Sequence, residues 1–512
     1  MSITLSEQDE FTLRTAEWGA VSLMSAAGAA GSAHKVATEG SIALTSATGL
    51  VGHVLAKAPK GVKYGKTVAE LADQVLPALT ASMSLLNQQD PAEAGNFRRT
   101  VLVAIEASTR PQLGAPGPTL AEMARKITEA LDAAPSGSAD GGGAPRAVAG
   151  PDRPELRKII QEMVESGFVG VTLRVHDEQG EWVGSAGAGE LGETEAPPAN
   201  GHVRIGSNTK TFTATVVLQL VAEGRIGLDS PVDDYLPEFG MDRRITVRML
   251  LQHTSGVFNF TGEYFEDGTF VPGIPATPAG KEWVDNRFHT YRPQELVRLA
   301  LSKPARFEPG TDWSYSNTNY VLARLLIEKV TGRPVAEEMR RLILGPLGLT
   351  GTVQPTTEQD IPAPYAHAYY RYEEDGQTRT VDVTRHNPSW ISSGGDMIST
   401  PRDLQTFITA LLGGKLLPAE LLAEMCTPES KAGYGLGVFV QPTPAGGTVI
   451  THNGGMAGHA ALMYSTPDGG RTLTAALNYV DDAAMSVGAA FQRATPRLVA
   501  EVFGSGQAGP AQ

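Results

Sequence analysis

The sequence predicts an α/β (α+β) domain, with an antiparallel sheet flanked by helices and an all-helical lobe, preceded by a separate all-α domain. Three observations lead to this prediction. Residues 1–134 carry helical apolar periodicity, residues 135–151 are rich in Gly, Ser and Pro, and strand patterns occur at both ends of residues 152–504. The helical section between those strand patterns would form the lobe, with a cleft between lobe and sheet.

The first 134 residues are expected to form a small helical domain. Apolar residues recur there at helical spacing, and Gly, Pro or polar residues separate the segments. The predicted helices span residues 7–28, 33–56, 67–86, 92–108 and 119–133. This region contains no catalytic constellation, so we expect it to bind a protein partner or to mediate self-association.

A flexible linker is predicted at residues 135–151, which read PSGSADGGGAPRAVAGP. Gly, Ser, Ala and Pro without apolar periodicity are typical of a tether. The change of composition on both sides of this segment marks a domain boundary. Residues 505–512 are expected to form a disordered tail.

The elements of residues 152–504 follow from their periodicities and turns. Helical spacing predicts helices at 154–166, from Ser207 onward and at 483–503, and a mainly helical section at 228–422. Apolar runs predict strands at 169–175, 181–185, 435–440, 448–452, 459–465 and 471–478. Turn sequences at 177–180 and 467–470 would join neighbouring strands. Because the strands lie at both ends of this region, we expect them to meet in one antiparallel sheet.

Composition and charge restrict the classes of function. Apolar residues make up 41% and charged residues 19% of the chain, which is typical of a globular protein. The net charge of −14 argues against nucleic acid or an anionic membrane as the main partner. The acidic N-terminus lacks the features of a secretion signal, and no apolar run reaches the ~20 residues of a membrane span. We therefore expect no membrane insertion and a cytoplasmic location, unless an unrecognised route exports the protein.

Ser207 and Lys210 form the strongest local candidate for catalytic chemistry. At this spacing the two side chains lie on one face of a helix, and a serine at the helix N-terminus faces unpaired N–H groups. A neighbouring base and a place for developing negative charge are what a serine nucleophile needs. The spacing alone is weak evidence, because Ser32 and Lys35 share it within an Ala/Gly-rich helical region.

Two further motifs follow this serine–lysine pair in chain order. Tyr315 and Asn317 form the only Tyr-x-Asn of the chain, on a predicted loop, and His452 and Gly454 form the only His-x-Gly, at a predicted strand end. In this order the motifs resemble those of the serine β-lactamase and penicillin-binding DD-peptidase family. Within it, the chain is most similar to the branch of class C β-lactamases, D-alanyl-D-alanine carboxypeptidases, D-aminopeptidases and esterases. The resemblance covers residues 152–504 and implies a β-lactamase-like fold.

The resemblance also implies a role for each residue of the three motifs. Ser207 would attack an acyl carbon and form an acyl-enzyme, and either Lys210 or Tyr315 would act as the general base. Asn317 would hold Lys210 and the substrate amide. His452 would polarise Tyr315 or the leaving group.

An oxyanion hole is expected at the backbone N–H groups of Ser207 and, by the resemblance, Gly455. This chemistry uses neither a metal nor a cofactor. Cys426 is the only cysteine, so the chain has too few thiols for a cysteine-ligated zinc site.

Four more positions are expected to contact the substrate. Thr261 and Trp390 match the pocket of the related carboxypeptidases. Those enzymes hold the substrate carboxylate with an arginine where this chain has Phe439, and carry a threonine where it has Asn453. Because Phe439 removes charge-assisted carboxylate recognition, the sequence favours an ester, a D-amino-acid amide or a peptide over strict carboxypeptidase action.

The functional hypothesis is therefore a serine acyl-hydrolase acting on a small-molecule or peptide substrate. The alternative is a catalytically inactive binding or scaffold protein of the same fold, which acts through its helical N-terminal domain. Two further residues near these motifs are given structural interpretations: His253 as a helix-terminating residue, and Asp396 as a cap or turn residue without an evident partner.

Overall fold

The computed structural model describes residues 7–27, 67–89, several positions between 94 and 105, and residues 118–132, 152–265, 269–274, 280–443 and 445–504. The chain divides into two compact units, residues 1–144 and 145–512, and each is described by itself. The predicted linker at 135–151 and tail at 505–512 lie outside the described residues.

The first unit is helical where it is described. Its helices are α1 (Glu7–Ala27), α2 (Val68–Gln89) and α3 (Pro118–Asp132). Each matches a predicted helix to within three residues, and the described positions of the segment predicted at 92–108 are also helical. The segment predicted at 33–56 lies outside the described residues. Buried apolar side chains join α1, α2 and α3 in one cluster, which includes Leu13, Val75 and Ile127.

The second unit is built on one large sheet. Its described strands, with four short ones outside that sheet, are β1 (Phe168–Asp177), β2 (Gly180–Gly187), β3 (Val203–Arg204), β4 (Glu263–Tyr264), β5 (Phe270–Val271), β6 (Tyr369–Glu374), β7 (Gln377–Asp382), β8 (Ile398–Ser399), β9 (Phe439–Pro442), β10 (Thr448–Thr451), β11 (Gly454–Met456), β12 (His459–Ser465) and β13 (Thr472–Asp482). The main order is β2-β1-β13-β12-β10-β9, with antiparallel neighbours throughout. The predicted meeting of strands from both ends of the region is confirmed, since β1 pairs with β13.

Helices and short helical turns make up most of the remainder. The described helices are α4 (Pro154–Glu165), α5 (Thr209–Ala222), α6 (Val247–Gln252), α7 (Gly280–Asn286), α8 (Pro293–Leu301), α9 (Asn317–Thr331), α10 (Val335–Met339), α11 (Gly345–Leu347), α12 (Pro401–Leu412), α13 (Ala419–Met425) and α14 (Gly488–Phe503). The 3₁₀ turns are Gly206–Asn208, Val232–Asp234, Pro237–Phe239, Pro388–Trp390 and Ser392–Gly394, and Arg340–Leu344 is a π-helical segment. None of the helices described is long and apolar enough to cross a membrane.

Helices cover both faces of the sheet, and the alternation along β12 shows why. Ala460, Leu462 and Tyr464 point to the cluster that β1 and β13 share with α4 and α14. Ala461 and Met463 point the opposite way, into the larger cluster around α5, α9 and α12. Because both sets of side chains are apolar, β12 has no face suited to water. Each face therefore packs on its own helical layer.

Three elements differ from the prediction, and tertiary contacts account for each difference. The strand predicted at 435–440 begins only at Phe439, because Gly437 packs its backbone against α5 and accepts a hydrogen bond of 2.8 Å from the Thr211 hydroxyl. The helix predicted at 483–503 begins at Gly488, since β13 continues to Asp482. The helical section contains the hairpin β6–β7, which joins the end of β13 in parallel. In each case a tertiary contact overrides the local pattern.

Candidate active site

Ser207 lies in the 3₁₀ turn that leads into α5. Gly206, at a φ of +50°, allows the chain to turn sharply just before the serine. The Asn208 side chain donates to the carbonyls of Ile205 at 2.9 Å and Ala461 at 3.1 Å, which ties the turn to β12. The serine itself remains partly exposed while its neighbours are buried.

The Lys210 amine is fully buried and faces three oxygen atoms. Its Nζ lies 2.7 Å from Asn317 Oδ1, 2.6 Å from the Gly394 carbonyl and 3.1 Å from Ser207 Oγ. The Asn317 Oδ1 and Gly394 carbonyl oxygens can only accept hydrogen bonds, so Nζ donates one N–H to each of them. The remaining position on Nζ, an N–H or a lone pair, points to the Ser207 hydroxyl. Burial lowers the pKa of Lys210 well below its usual value, although the Asp396 charge opposes this shift. A neutral amine in this position can accept the serine proton.

Tyr315 approaches the serine from a different segment. Its phenolic O–H donates to Ser207 Oγ at 2.8 Å, and its ring lies 4.7 Å from Lys210 Nζ. Burial raises the pKa of Tyr315, which keeps the phenol protonated. The Ser207 oxygen therefore has a proton acceptor on one side and a proton donor on the other.

His253 holds the loop that carries Tyr315. It ends α6 in the left-handed conformation, at a φ of 63°, and its Nδ1 accepts a hydrogen bond from the Ser316 N–H at 3.2 Å. Its carbonyl accepts from the Ser314 N–H at 3.0 Å. Burial keeps the pKa of His253 well below its ordinary value. This arrangement matches the helix-terminating role expected for His253.

Asn317 is the first residue of α9 and links the lysine to the pocket wall. While its Oδ1 accepts from Lys210, its Nδ2 donates to Thr261 Oγ1 at 3.2 Å. Its backbone N–H donates to Asn259 Oδ1, which also receives the Thr261 hydroxyl at 3.0 Å. Thr261, expected from the resemblance to contact substrate, is therefore linked to Lys210 through the Asn317 side chain.

His452 follows the last residue of β10, as predicted, but its hydrogen bonds differ from the expectation. Nδ1 lies 2.9 Å from the Asn453 carbonyl, and Nε2 lies 3.0 Å from the Tyr434 hydroxyl. Burial lowers the pKa of His452 to about 3, so the ring is neutral and Nε2 accepts the Tyr434 proton. The rings of His452 and Tyr315 have centroids 6.5 Å apart. His452 was expected to polarise Tyr315 or the leaving group; its ring nitrogens bond to Tyr434 and to the Asn453 carbonyl, and its role toward substrate stays a prediction.

The backbone of β11 lies directly against the Ser207 turn. A Cβ atom added to Gly206 would come within 2.5 Å of the Gly455 nitrogen, and one added to Gly454 would collide with the Ser207 nitrogen. The two segments can approach this closely because both carry glycine. The amides of Ser207 and Gly455, expected to form the oxyanion hole, thus belong to adjoining stretches of backbone.

The other three residues expected to contact substrate are Phe439, Asn453 and Trp390, and they differ in how they relate to Ser207, Lys210 and Tyr315. Phe439 begins β9, with its ring 5.5 Å from that of His452 and edge-on to Tyr434 at 4.6 Å. Asn453 donates from Nδ2 to the Tyr464 hydroxyl at 2.6 Å. Trp390 is buried in the larger apolar core, and within the described part of the chain no hydrogen bond connects it to Ser207.

A cavity of about 890 Å³ opens beside the oxyanion segment. Its wall on the side of the serine consists of Thr261, Gly262 and residues 453–455. Most of the rest of the wall comes from the start of β1, the end of β13, the segment that leads into α14 and the start of that helix. The larger apolar side chains of these segments are Phe168, Tyr479, Met485, Val487 and Phe491, and their polar side chains are Asp481, Asp482 and Gln492. We call this space the β13 cavity.

Sequence reasoning missed three groups that complete the site. Gly394 supplies a carbonyl to Lys210, and Tyr434 supplies a hydroxyl to His452. Asp396 is a correction, since it is not a lone turn residue: it is buried, lies 4.0 Å from Arg324 and 3.3 Å from Gln354 Nε2, and acts electrostatically on Lys210. The contacts of Gly394, Asp396 and Tyr434 depend on tertiary packing, so spacing in the sequence does not reveal them.

Comparisons with known proteins identify the family to which the chain belongs. The family described as Beta-lactamase matches residues 156–495. Penicillin-binding protein 4* of Bacillus subtilis is 26% identical over 64% of this chain and 72% of its own length. Putative penicillin-binding protein PbpX of the same organism is 28% identical over 56% of this chain, and the match spans 66% of PbpX.

Solved structures show the same fold. A D-stereospecific amidohydrolase from Streptomyces sp. is 37% identical, with a TM-score of 0.59 over 70% of this chain and 100% of its own. D-amino acid amidase from Ochrobactrum anthropi SV3 is 26% identical, with a TM-score of 0.57 over 69% of this chain and 98% of its own. These proteins carry hydrolase names, and the architecture is that of the serine β-lactamase and penicillin-binding-protein hydrolases. With the family match covering most of the second unit, the chain belongs to the Beta-lactamase family.

Proposed function

We propose that this protein is a serine acyl-hydrolase that forms an acyl-enzyme on Ser207 and hydrolyses an ester or a D-amino-acid amide or peptide. One observation carries the proposal: Ser207 Oγ lies within hydrogen-bond distance of both the Lys210 amine and the Tyr315 hydroxyl. A nucleophile, a base and an acid thus converge on one atom from two separate segments of the chain. A binding protein would gain nothing from this polar and partly buried arrangement.

The opposite pKa shifts favour Lys210 as the general base and Tyr315 as the general acid. Burial makes the neutral amine easier to populate and the phenolate harder to populate. As the Ser207 Oγ–carbon bond forms, the serine proton passes to Lys210 Nζ. Tyr315 gives its proton to the leaving oxygen or nitrogen as that bond breaks, and recovers a proton from the lysine ammonium.

Developing negative charge is stabilised by the N–H groups of Ser207 and Gly455. Both belong to backbone that is held rigidly, one by Asn208 and the other by the pairing of β11 with β12. In deacylation, water attacks the acyl carbon and loses a proton to Lys210 Nζ. The bond between that carbon and Ser207 Oγ then breaks, and Oγ takes up the proton that the lysine ammonium releases. His452 remains neutral and, with Tyr434, supports the wall on which Tyr315 packs.

The substrate class follows from the pocket and from the relatives. Phe439 presents an apolar ring where a carboxylate-binding guanidinium would be needed for strict carboxypeptidase action, and Asn453 replaces the matching threonine. Among the related structures, one is named a D-stereospecific amidohydrolase and another a D-amino acid amidase. Their names and the apolar wall together favour esters and D-amino-acid amides.

A substrate panel tests this proposal. Purified protein is assayed with p-nitrophenyl esters, D-Ala-p-nitroanilide, L-Ala-p-nitroanilide, a D-Ala-D-Ala peptide and nitrocefin. We expect turnover of the esters and the D-anilide above that of the D-Ala-D-Ala peptide, and preference for D over L. Ser207→Ala is the matched control and should lose turnover of every substrate. Equal turnover by Ser207→Ala, or none by the folded wild-type protein, would contradict the proposal.

A further inference from the structure

The β13 cavity adjoins the proposed oxyanion segment. Its wall includes Gly454 and Gly455, next to the oxyanion position, and Thr261, next to Asn317. Tyr315 and His452 do not line it. Because the leaving group must meet the Tyr315 hydroxyl, the acyl part is the part of the substrate that we assign to this cavity.

Asp481 is a partly buried carboxylate in the wall of this cavity, which also includes Asp482 and Gln492. It occupies the same face of β13 as Tyr479, whose hydroxyl lies next to Gly455. Its Oδ1 accepts the Asp482 N–H at 2.9 Å, while the nearby Arg371 pairs with Asp482 instead. Among the described residues, no basic side chain pairs with Asp481. Burial raises the pKa of Asp481 to about 6, and the neighbouring Asp482 charge acts in the same direction, while the backbone N–H groups of Asp482 and Gly458 oppose the shift.

The sheet register gives the distance that a substrate must span. Gly455, Ala460 and Leu477 are aligned across β11, β12 and β13, and Asp481 lies four residues beyond Leu477. Strand spacing and rise place the Cα atoms of Gly455 and Asp481 roughly 16 Å apart. The α-ammonium of a single aminoacyl group lies only about 2.5 Å from the reacting carbon, so it cannot reach Asp481. An extended acyl chain of about three or four residues can.

We propose that Asp481 forms an anionic subsite that binds a positively charged group at the far end of an extended acyl chain. This inference rests on the proposed function, because it takes the reaction centre at Ser207 as its origin. The chemistry recognised is a cation presented next to apolar surface. An N-terminal ammonium and a basic side chain both provide it, and the substrates below distinguish the two.

The test uses p-nitroanilides of D-Ala extended at the N-terminus by zero to three glycines, each with a free or an acetylated amine. A further substrate, acetyl-Lys-Gly-D-Ala-p-nitroanilide, offers only a side-chain ammonium. KM and kcat are measured for the wild-type protein, for Asp481→Asn and for Asp375→Asn. Asp375 lies in the exposed turn between β6 and β7, so this control makes the same charge change away from the cavity.

For the two longest substrates, we expect a free amine to lower KM about tenfold relative to acetylation, as a charge-assisted hydrogen bond would. The difference should vanish in Asp481→Asn, persist in Asp375→Asn and be absent in unextended D-Ala-p-nitroanilide. If the acetylated lysine substrate shows the same dependence on Asp481, the subsite accepts a basic side chain. If only the substrates with a free N-terminal amine depend on Asp481, the subsite binds the N-terminal ammonium.

An unchanged ratio of KM values in Asp481→Asn, or a full advantage already present in the shortest substrate, overturns the subsite. Calorimetric binding of the same peptides to Ser207→Ala and to Ser207→Ala with Asp481→Asn gives a readout without turnover. Failure of the wild-type protein to hydrolyse p-nitrophenyl acetate would count against the proposed function. Normal hydrolysis of that ester with no effect of Asp481 would count against the subsite alone.

Discussion

At the scale of single residues, the protonation state of Lys210 controls what Ser207 can do. Two fixed acceptors, Asn317 Oδ1 and the Gly394 carbonyl, occupy two N–H bonds of the amine whether it is charged or neutral. Only the third position changes, from an N–H that would compete for the serine oxygen to a lone pair that accepts its proton. The buried carboxylate of Asp396 is the nearby group that favours the charged form.

The first prediction concerns the pH dependence of acylation. Because the neutral amine is the active form, kcat/KM for an ester should increase as the pH rises through the lowered pKa of Lys210. Asp396→Asn removes a negative charge that raises this pKa, so the acid limb of the profile should move to lower pH. Thermal unfolding shows whether the variant is folded. A folded variant whose acid limb stays in place or moves to higher pH would contradict the assignment of Lys210 as the base.

The second prediction concerns Phe439. Replacing its ring by a guanidinium restores a partner for a substrate carboxylate, so Phe439→Arg should raise turnover of a D-Ala-D-Ala peptide relative to a p-nitrophenyl ester. Phe439→Leu is the control, because it changes the shape of the wall without adding charge. The ratio of the two kcat/KM values is the measurement. An unchanged ratio in Phe439→Arg would show that Phe439 does not contact that part of the substrate.

The sequence predicted some of these residues and not others, for a physical reason. Ser207 and Lys210 are three residues apart on a helix, so their proximity is a local property. Tyr315 could be found because its motif is rare in the chain. The Gly394 carbonyl and the Tyr434 hydroxyl join the site through tertiary hydrogen bonds that no spacing encodes.

At the scale of elements, the contact between β11 and the Ser207 turn is the most demanding feature of the fold. Gly454 leaves no room for a side chain, because an added methyl group would overlap the Ile205 carbonyl and the Ser207 nitrogen. Gly455 is different, since its added methyl group would meet the His459 carbonyl oxygen at 3.6 Å and the Tyr479 hydroxyl at 3.7 Å, which are ordinary contacts.

The third prediction uses this difference as a matched pair. Gly454→Ala should push β11 away from the serine, move the Gly455 amide and lower kcat about 10²-fold or more, as loss of an oxyanion donor does. The overpacking should also cost about 1–3 kcal/mol of stability. Gly455→Ala keeps both amides in place and should retain ester turnover. Similar kcat values for the two variants would argue against an oxyanion hole at this contact.

Most strands were predictable because their signal lies in the sequence itself. The pattern at 459–465 gives β12 with both bounds correct, and its continuous apolar run reflects burial on both faces. The pattern at 435–440 was wrong in its first four residues, because packing of Gly437 against α5 outweighs the local preference for a strand. The hairpin β6–β7 was missed because β7 is largely exposed and polar.

At the scale of the whole molecule, the chain contains separate apolar cores. Among the described residues, the first unit has apolar clusters of its own and the second unit has two others. Every residue of the candidate site belongs to the second unit. We therefore propose that catalysis is a property of residues 152–504, and that residues 1–134 serve binding or self-association.

The fourth prediction is that removal of residues 1–144 leaves kcat and KM for a p-nitrophenyl ester unchanged. The reason is that the second unit carries its own cores and all of the catalytic groups. Light scattering on both forms would report any change of assembly caused by the deletion. A folded second unit without activity would show that the helical unit takes part in the reaction.

The central claim, that Ser207 is the nucleophile of an acyl-enzyme, is tested most directly by mass spectrometry of the covalently labelled protein. The wild-type protein is treated with a fluorophosphonate or a penicillin between about pH 6 and 10, then digested and mapped. We predict one adduct, on the peptide that contains Ser207, formed faster as the pH rises and absent from Ser207→Ala. Absence of labelling across this pH range in folded protein, or an adduct on another residue, would contradict the account.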